Sequence, residues 1–437
     1  MKVLLCPLSD PGYLYPAIAV GRELHRRGHH VTLLARHGAG ATAAAAGLPL
    51  TAVEDDDGTG PLSVTCWFRH QTDQYRTILA EARLQQPDAL LTSVLGHGAL
   101  LAAETLDLPV VVLGLAAHLW PYAAGGEGEQ ERPARRQWRL HETIGFYNAL
   151  REEAGFTPLP DPAAARALLG TRFLLRGDPL LEHPGARLPP GVHHVGPCLW
   201  EPDPDPEELG RLLHTPSGDR KPFAYVHLGR TFGGTGLWPR LNSAFTEGPL
   251  RAVVELGRSG PPAPHPQAAL TTVRLPWMAP LVKHADLVIT SATSAPVLTA
   301  LTHGRPLLVA PAGSEQPLLA AACIRAGVAR RLPEGATPDL LLEVLGDNSI
   351  RRAANGLAAS LLAAGGAHQA ADHVERAARH GTEHNEQPGP LRRHARRSAE
   401  LLVGGDGDQK VATVRPDEAS TPDRLVVRVD DGPVDQP

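Results

Sequence analysis

Short apolar runs that alternate with helical patterns predict an α/β protein with parallel sheets, arranged as two domains followed by a tail. Three observations support this reading. The chain has 437 residues, more than one domain usually holds. A strand–helix–strand unit is legible at its start. The alternation stops at a proline-rich, acidic stretch near residues 197–221 and then resumes.

The first unit begins with Lys2–Leu8, an apolar run of the buried-strand kind. A turn-rich loop, SDPGYLY, follows, and Pro16 stands where a first helical turn tolerates proline. Ala17, Val20 and Leu24 repeat at helical spacing, Gly28 supplies the C-terminal cap, and Val31–Ala35 forms the next strand. Such a βαβ unit implies a parallel sheet. Ala89–Thr92, Val110–Leu113, Phe173–Leu175 and Val192–Val195 read as further strands, with a helix over Ala99–Leu106. Residues 121–145 are charged and glycine-rich, and predict a mobile loop followed by a helix. Beyond the break, strands are expected at Phe223–Leu228, Ala252–Leu256, Leu287–Thr290 and Leu307–Ala310. Helices are expected at Val297–His303, at Gln316–Ala326 and through 338–379. The boundaries that follow are a first domain over 1–199, a linker over 200–221, a second domain over 222–380 and a tail over 381–437. The tail is polar, contains prolines and is too poor in apolar surface to order itself.

Composition narrows the function classes. A hydrophobic fraction of 42% supports real cores, and a formal net charge of -5 does not call for a nucleic-acid partner. The basic run LRRHARR in the tail reads as a solvated stretch before it reads as a nucleic-acid contact. Cys6, Cys66, Cys198 and Cys323 show neither a CxxC pair nor metal-ligand spacing, which fits a reducing compartment and no metal. Pro7 and Asp10 cut short the apolar run that a signal peptide needs, and no stretch approaches the ~20 apolar residues of a membrane span. The expected location is therefore cytoplasmic, without membrane contact. A dinucleotide-binding loop needs three glycines after the first strand, and this one has only Gly12. That argues against NAD or FAD, and no cofactor is expected.

The same loop resembles something else. PLSDPGYLYPAIAVGRELHRRGHHVTLLA is similar to the amino-terminal segment of UDP-glycosyltransferase-like enzymes that decorate natural products, which typically reads PGHxxPxxxLAxxLxxRGHxV. HADLVITSATSAPVLTALTHGRPLLVAPAGSEQPLLAAACIRAGVA resembles that family's donor-binding signature, PFAYVHLGR its strand-and-loop, and VHHVGPCLWEP the stretch before its linker. The four blocks keep their order and cover roughly residues 1–380. The resemblance implies the GT-B fold, in which two Rossmann-like domains face across a cleft. It puts the acceptor mostly on the first domain and the nucleotide-sugar, a co-substrate, mostly on the second.

The functional residues depart from the family pattern. Tyr13 stands where the family has the His that deprotonates the acceptor, and an ordinary tyrosine, with pKa near ~10, is a donor rather than a base. Ser93 replaces the acid that orients that His. Asp10 in the first loop and His97 after a strand end are the candidate substitutes, with His118 after another strand end; the alternative for each His is a solvated loop residue. Gly12, His118 and Trp120 are expected on the acceptor side. In place of the family's HGG stand Ser291, Ala292 and Thr293, followed by Ser294, Ala295 and Pro296. Free amides and hydroxyls at such a helix start can hold a diphosphate, and ordinary helix capping is the alternative. Glu315 and Gln316 match the family's acid–Gln pair, which binds hydroxyls of the donor sugar. LPWM aligns without a gap to put Leu275 and Met278 at the family's nucleobase positions, whereas a small shift puts Trp277 on the base. Gly229 forms the glycine turn, and Arg230 after it reaches either a phosphate or solvent.

The function these residues imply is transfer of a sugar from a nucleotide-diphosphate sugar to a small hydrophobic natural product, with inversion and without metal. The alternative is a catalytically impaired binding protein of the same fold. Self-association as a homodimer, or pairing with an enzyme, stays open at this point.

Overall fold

A computed structural model describes residues 1–53, 71–126, 132–214, 222–229, 235–257 and 260–384. Cys66, Arg230, residues 127–131 of the expected loop, 215–221 of the expected linker and the tail from 385 lie outside the described residues.

The first domain runs β1 (Lys2–Cys6), α1 (Pro11–Arg26), β2 (His30–Arg36), α2 (Gly40–Ala46), β3 (Leu50–Val53), α3 (Gln71–Gln85), β4 (Ala89–Ser93), α4 (His97–Leu106), β5 (Val110–Leu113), α5 (Arg132–Glu153), α6 (Asp161–Ala167), β6 (Arg172–Leu175) and β7 (Val192–His194). The second runs α7 (Pro206–Leu213), β8 (Phe223–His227), α8 (Trp238–Phe245), β9 (Arg251–Glu255), β10 (Leu270–Val273), α9 (Ala279–His284), β11 (Leu287–Thr290), α10 (Ser294–Thr302), β12 (Leu307–Val309), α11 (Gln316–Arg325), β13 (Ala329–Arg331), α12 (Pro338–Gly346) and α13 (Asn348–Ala363). A last helix, α14 (Ala367–His384), closes the described chain.

Both sheets are parallel. Their orders are β3-β2-β1-β4-β5-β6-β7 and β10-β9-β8-β11-β12-β13. Their central strands are apolar on both faces, as covering by helices on each side requires: VVVL of β5 and LVIT of β11 are buried throughout. In each sheet the order reverses beside the first strand, between β1 and β4 and between β8 and β11. Open α/β sheets bind ligands outside the carboxyl ends of strands at such reversals. This is the GT-B architecture.

Three expectations need correction. The expected linker contains α7, whose Asp205 side chain accepts from the amides of Glu207 and Glu208 at 2.9 and 3.1 Å and whose Leu212 is buried in the second domain's core. The second domain does not run to 380. Its last helix is α13, and α14 crosses back to the first domain, burying Ala370, Ala371, Val374 and Ala377 in the core that holds Ala17, Val20 and Leu24 of α1. Arg27 pairs with Asp372 at 2.6 Å and His29 with Glu375 at 2.9 Å across that seam. The first helix begins at Pro11, so Pro16 lies inside it and has no N–H to give the Gly12 carbonyl.

Candidate functional site

The carboxyl ends of both sheets face one cavity of about 520 Å³. The first domain contributes the loop and helix start at Asp10–Tyr13, together with Arg176 at the end of β6. The second contributes Gly229 after β8, Thr293–Ala295 at the start of α10, and Glu315–Gln316 at the start of α11. Hydrogen bonds between the domains flank the cavity. Tyr15 Oη donates to the Pro276 carbonyl at 3.0 Å, the Ala116 amide to Ser294 Oγ at 3.1 Å, and Arg139 to the Ser314 carbonyl at 2.5 Å.

The sequence-derived residues divide into those that reach the cavity and those that do not. Asp10 lines it, is buried, and stands 3.8 Å from Arg36. Gly12 and Tyr13 line it as well, and the space where a Gly12 Cβ would stand is open. His97 does not reach it. Four positions past the end of β4, the chain has already turned through Leu95 (φ 71°) and Gly96, so the imidazole is delivered into the core, 5.6 Å from the Tyr147 ring. His118 and Trp120 are likewise core residues, packed on each other and on Phe173. His97 is therefore corrected from candidate base to packing residue, and His118 and Trp120 from acceptor wall to core. Burial holds both imidazoles neutral, pulling the pKa of each down to about 3, with the Arg136 charge adding to the effect at His118.

At the start of α10, the N-cap is Thr293, and its side chain makes no capping bond. Thr293 and Ala295 face the cavity, whereas Ser291 is fully buried and does not. The Ser294 hydroxyl accepts from the first domain, so it serves the interface and can still donate its proton. Ala292 takes the left-handed conformation (φ 67°), which favours glycine. Glu315 is half-buried and faces the cavity, with Oε2 accepting from Ser314 Oγ at 2.7 Å. Gln316 Oε1 accepts from the amides of Ala312 and Gly313 at 2.8 and 3.2 Å, which leaves its amide nitrogen to face a ligand. Trp277 borders the cavity but is 4% exposed and packs in the core, whereas Leu275 is only half-buried, so the alignment without a gap describes the open surface.

Arg176 is the residue that sequence reasoning missed. It follows the apolar run FLL directly, and a charge at the carboxyl end of a predicted strand was the available signal. Two further carboxylates are spent on backbone: Glu201 accepts from the amides of Met278 and Ala279, both at 2.8 Å, and Glu255 from those of Gly257 and Leu275, both at 2.8 Å. Among the described residues, no group of three or more His, Cys, Asp or Glu is arranged to hold a metal, and no helix is long and apolar enough to cross a membrane.

No family model matches the chain. Over 405 residues it is 26% identical to the oleandomycin glycosyltransferase of Streptomyces antibioticus, covering 85% of this chain and 90% of that protein. Its fold is similar to that of the glycosyltransferase of kitacinnamycin, with a TM-score of 0.67 and 22% identity over 86% of this chain and 98% of the other. It is also similar to the Streptomyces sp. SF2575 glycosyltransferase SsfS6 complexed with thymidine diphosphate, with a TM-score of 0.59 and 18% identity over 86% and 99% of the two chains.

Proposed function

We propose that this chain, a UDP-glycosyltransferase-like protein of the GT-B fold, transfers a sugar from a nucleoside-diphosphate sugar to a small hydrophobic natural product. One observation carries the reading: the Asp10–Tyr13 loop of one domain and the starts of α10 and α11 of the other face each other across a single cavity. A curated relative is named a glycosyltransferase, and one structural neighbour holds thymidine diphosphate; both support it. The names of the relatives favour this reading over the impaired-partner alternative.

The chemistry assigned to the site is a direct displacement. The acceptor oxygen attacks the anomeric carbon from the side opposite the diphosphate, the carbon–oxygen bond to the diphosphate breaks, and the configuration inverts. The acceptor's proton goes to the Asp10 carboxylate, which lines the cavity and, when ionised, only accepts. The leaving charge falls on the diphosphate at the start of α10, where the amides of Ser294 and Ala295 precede a proline that has none. Glu315 and the amide nitrogen of Gln316 bind hydroxyls of the sugar. Neither the cytoplasmic location nor any assembly with a second chain is needed for these steps.

Calorimetry and thermal melts with UDP, TDP and GDP test the reading. A ligand present at 100 times its Kd adds about 2.7 kcal/mol of stability. Absence of binding by all three at millimolar concentration would overturn the transferase assignment.

A further inference from the structure

We propose that Arg176 is a diphosphate-binding residue, holding the leaving group from the acceptor-domain side while the start of α10 holds it from the other. The inference rests on the transferase reading and deepens it.

Charge is the first argument. Asp10, Glu201, Asp203, Glu255 and Glu315 line the cavity, and among its described lining residues Arg176 is the single Arg or Lys. An anion that enters so acidic a cleft needs a cation within it. Arg176 is 4% exposed, and none of the ion pairs among the described residues includes it. Among the described residues only its Nε finds a partner, the Gly114 carbonyl at 2.8 Å. That bond orients the guanidinium and leaves its two terminal nitrogens, the fork that binds phosphate oxygens, for a ligand. A buried cation without a carboxylate partner is costly unless a ligand completes it. Burial pulls its pKa down, and Cys198, Tyr13 and Glu315 counter that pull.

Position is the second argument. The Arg176 amide donates to the Leu115 carbonyl at 2.9 Å, and the next amide along that strand end, Ala116 N, donates to Ser294 Oγ at 3.1 Å. The segment carrying the guanidinium is therefore tied to the helix start that offers free amides. It is also tightly seated, because a Cβ on Gly177 would stand 1.9 Å from the Ala116 carbonyl oxygen.

The test compares UDP and TDP with uridine and thymidine by calorimetry, on the wild type, Arg176→Met and Arg176→Lys. Loss of a charge-assisted bond should weaken diphosphate binding about 10- to 100-fold in Arg176→Met while nucleoside binding changes less than about 2-fold. Lysine keeps the charge without the fork and should lose about 3- to 10-fold. If Arg176→Met does not fold, the diphosphate-to-nucleoside ratio in Arg176→Lys decides. An unchanged ratio in the folded variants overturns the proposal and leaves the transferase reading standing, with the cation free to meet an acceptor anion. A wild type that binds no diphosphate overturns both.

Discussion

At the residue scale, the proposed reaction asks Asp10 and Tyr13 to divide the work that a histidine and an acid share in the resembled family. Asp10 is buried at the helix start and supplies a carboxylate, and Tyr13 borders the same cavity with a hydroxyl. Removing the base should cost on the order of 100- to 10,000-fold in turnover, the usual range for general-base catalysis. Asp10→Asn is expected in that range. Tyr13→Phe loses one hydrogen bond of about 0.5–1.5 kcal/mol and should lower turnover about tenfold or less. Initial-rate assays of transfer, or of donor hydrolysis where no acceptor is known, separate the two. Equal losses in the two variants would place the phenol itself in the chemistry. The core position of His97 also changes what its removal means. His97→Ala opens space against Tyr147 and should lower the melting temperature, with no pH-dependent change in the turnover of the protein that remains folded.

At the element scale, the central strands and the edge strand β7 were legible from the sequence, and the other three edges were not. β5 and β11 have the bounds that their sequence runs predict, because strands buried on both faces are apolar at nearly every position, Thr290 being the polar one here. The edge strands β3 (LTAV), β10 (LTTV) and β13 (ARR) carry weaker runs, since among the described residues one side of each meets no partner strand and most of their residues stay partly open. Asp10, read from the first loop, and Glu315, read from the family resemblance, both stand directly at helix starts and line the cavity. His97 does not line it, because a turn separates it from the strand and its direction depends on φ at Leu95. α14 exposes another limit. Periodicity shows that a helix exists but does not say which domain receives its apolar face. Its buried Ala370, Ala371, Val374, Ala377 and Ala378 and the Arg27–Asp372 pair make it part of the first domain. Ending the chain after Gly366 should therefore lower the melting temperature by several degrees relative to a chain ending after His384, since about 1 kcal/mol shifts it by roughly 2–4 °C in domains of this size. Composition predicts that the His384-ended chain melts with the full-length protein. Equal melting of the two shortened chains would mean that the helix contributes nothing to the fold.

At the scale of the whole molecule, the burial of histidines predicts how stability varies with pH. His97 and His118 are each held near pKa about 3, against an ordinary value of 6.5, chiefly because burial disfavours the charged ring. His373 is drawn down to about 4, first by burial and then by Arg376, His193 and Arg172 around it. A group whose pKa is lower in the folded state binds more protons when unfolded, so its neutral form favours folding above the unfolded value. That contribution is lost as pH falls from about 6.5 through the folded pKa. Each fully buried ring contributes up to about 1.4 kcal/mol per pH unit to the slope in that window. Glu201 opposes them, because burial raises its pKa and lowering the pH relieves that cost. With His97 and His118 both fully within the core, the histidine side prevails between pH 6.5 and about 4. The melting temperature should accordingly be flat above pH 7 and fall steeply below pH 6.5, well before ordinary carboxylates titrate. His97→Phe keeps an aromatic ring against Tyr147 and removes one of the titrating groups, so its melting temperature should fall less steeply over the same interval. Melts at pH 7.5, 6.5, 5.5 and 4.5 on both proteins decide the matter: a wild type stable to pH 4.5, or a variant whose curve runs parallel to it, would show that these rings are hydrated or paired in the folded protein.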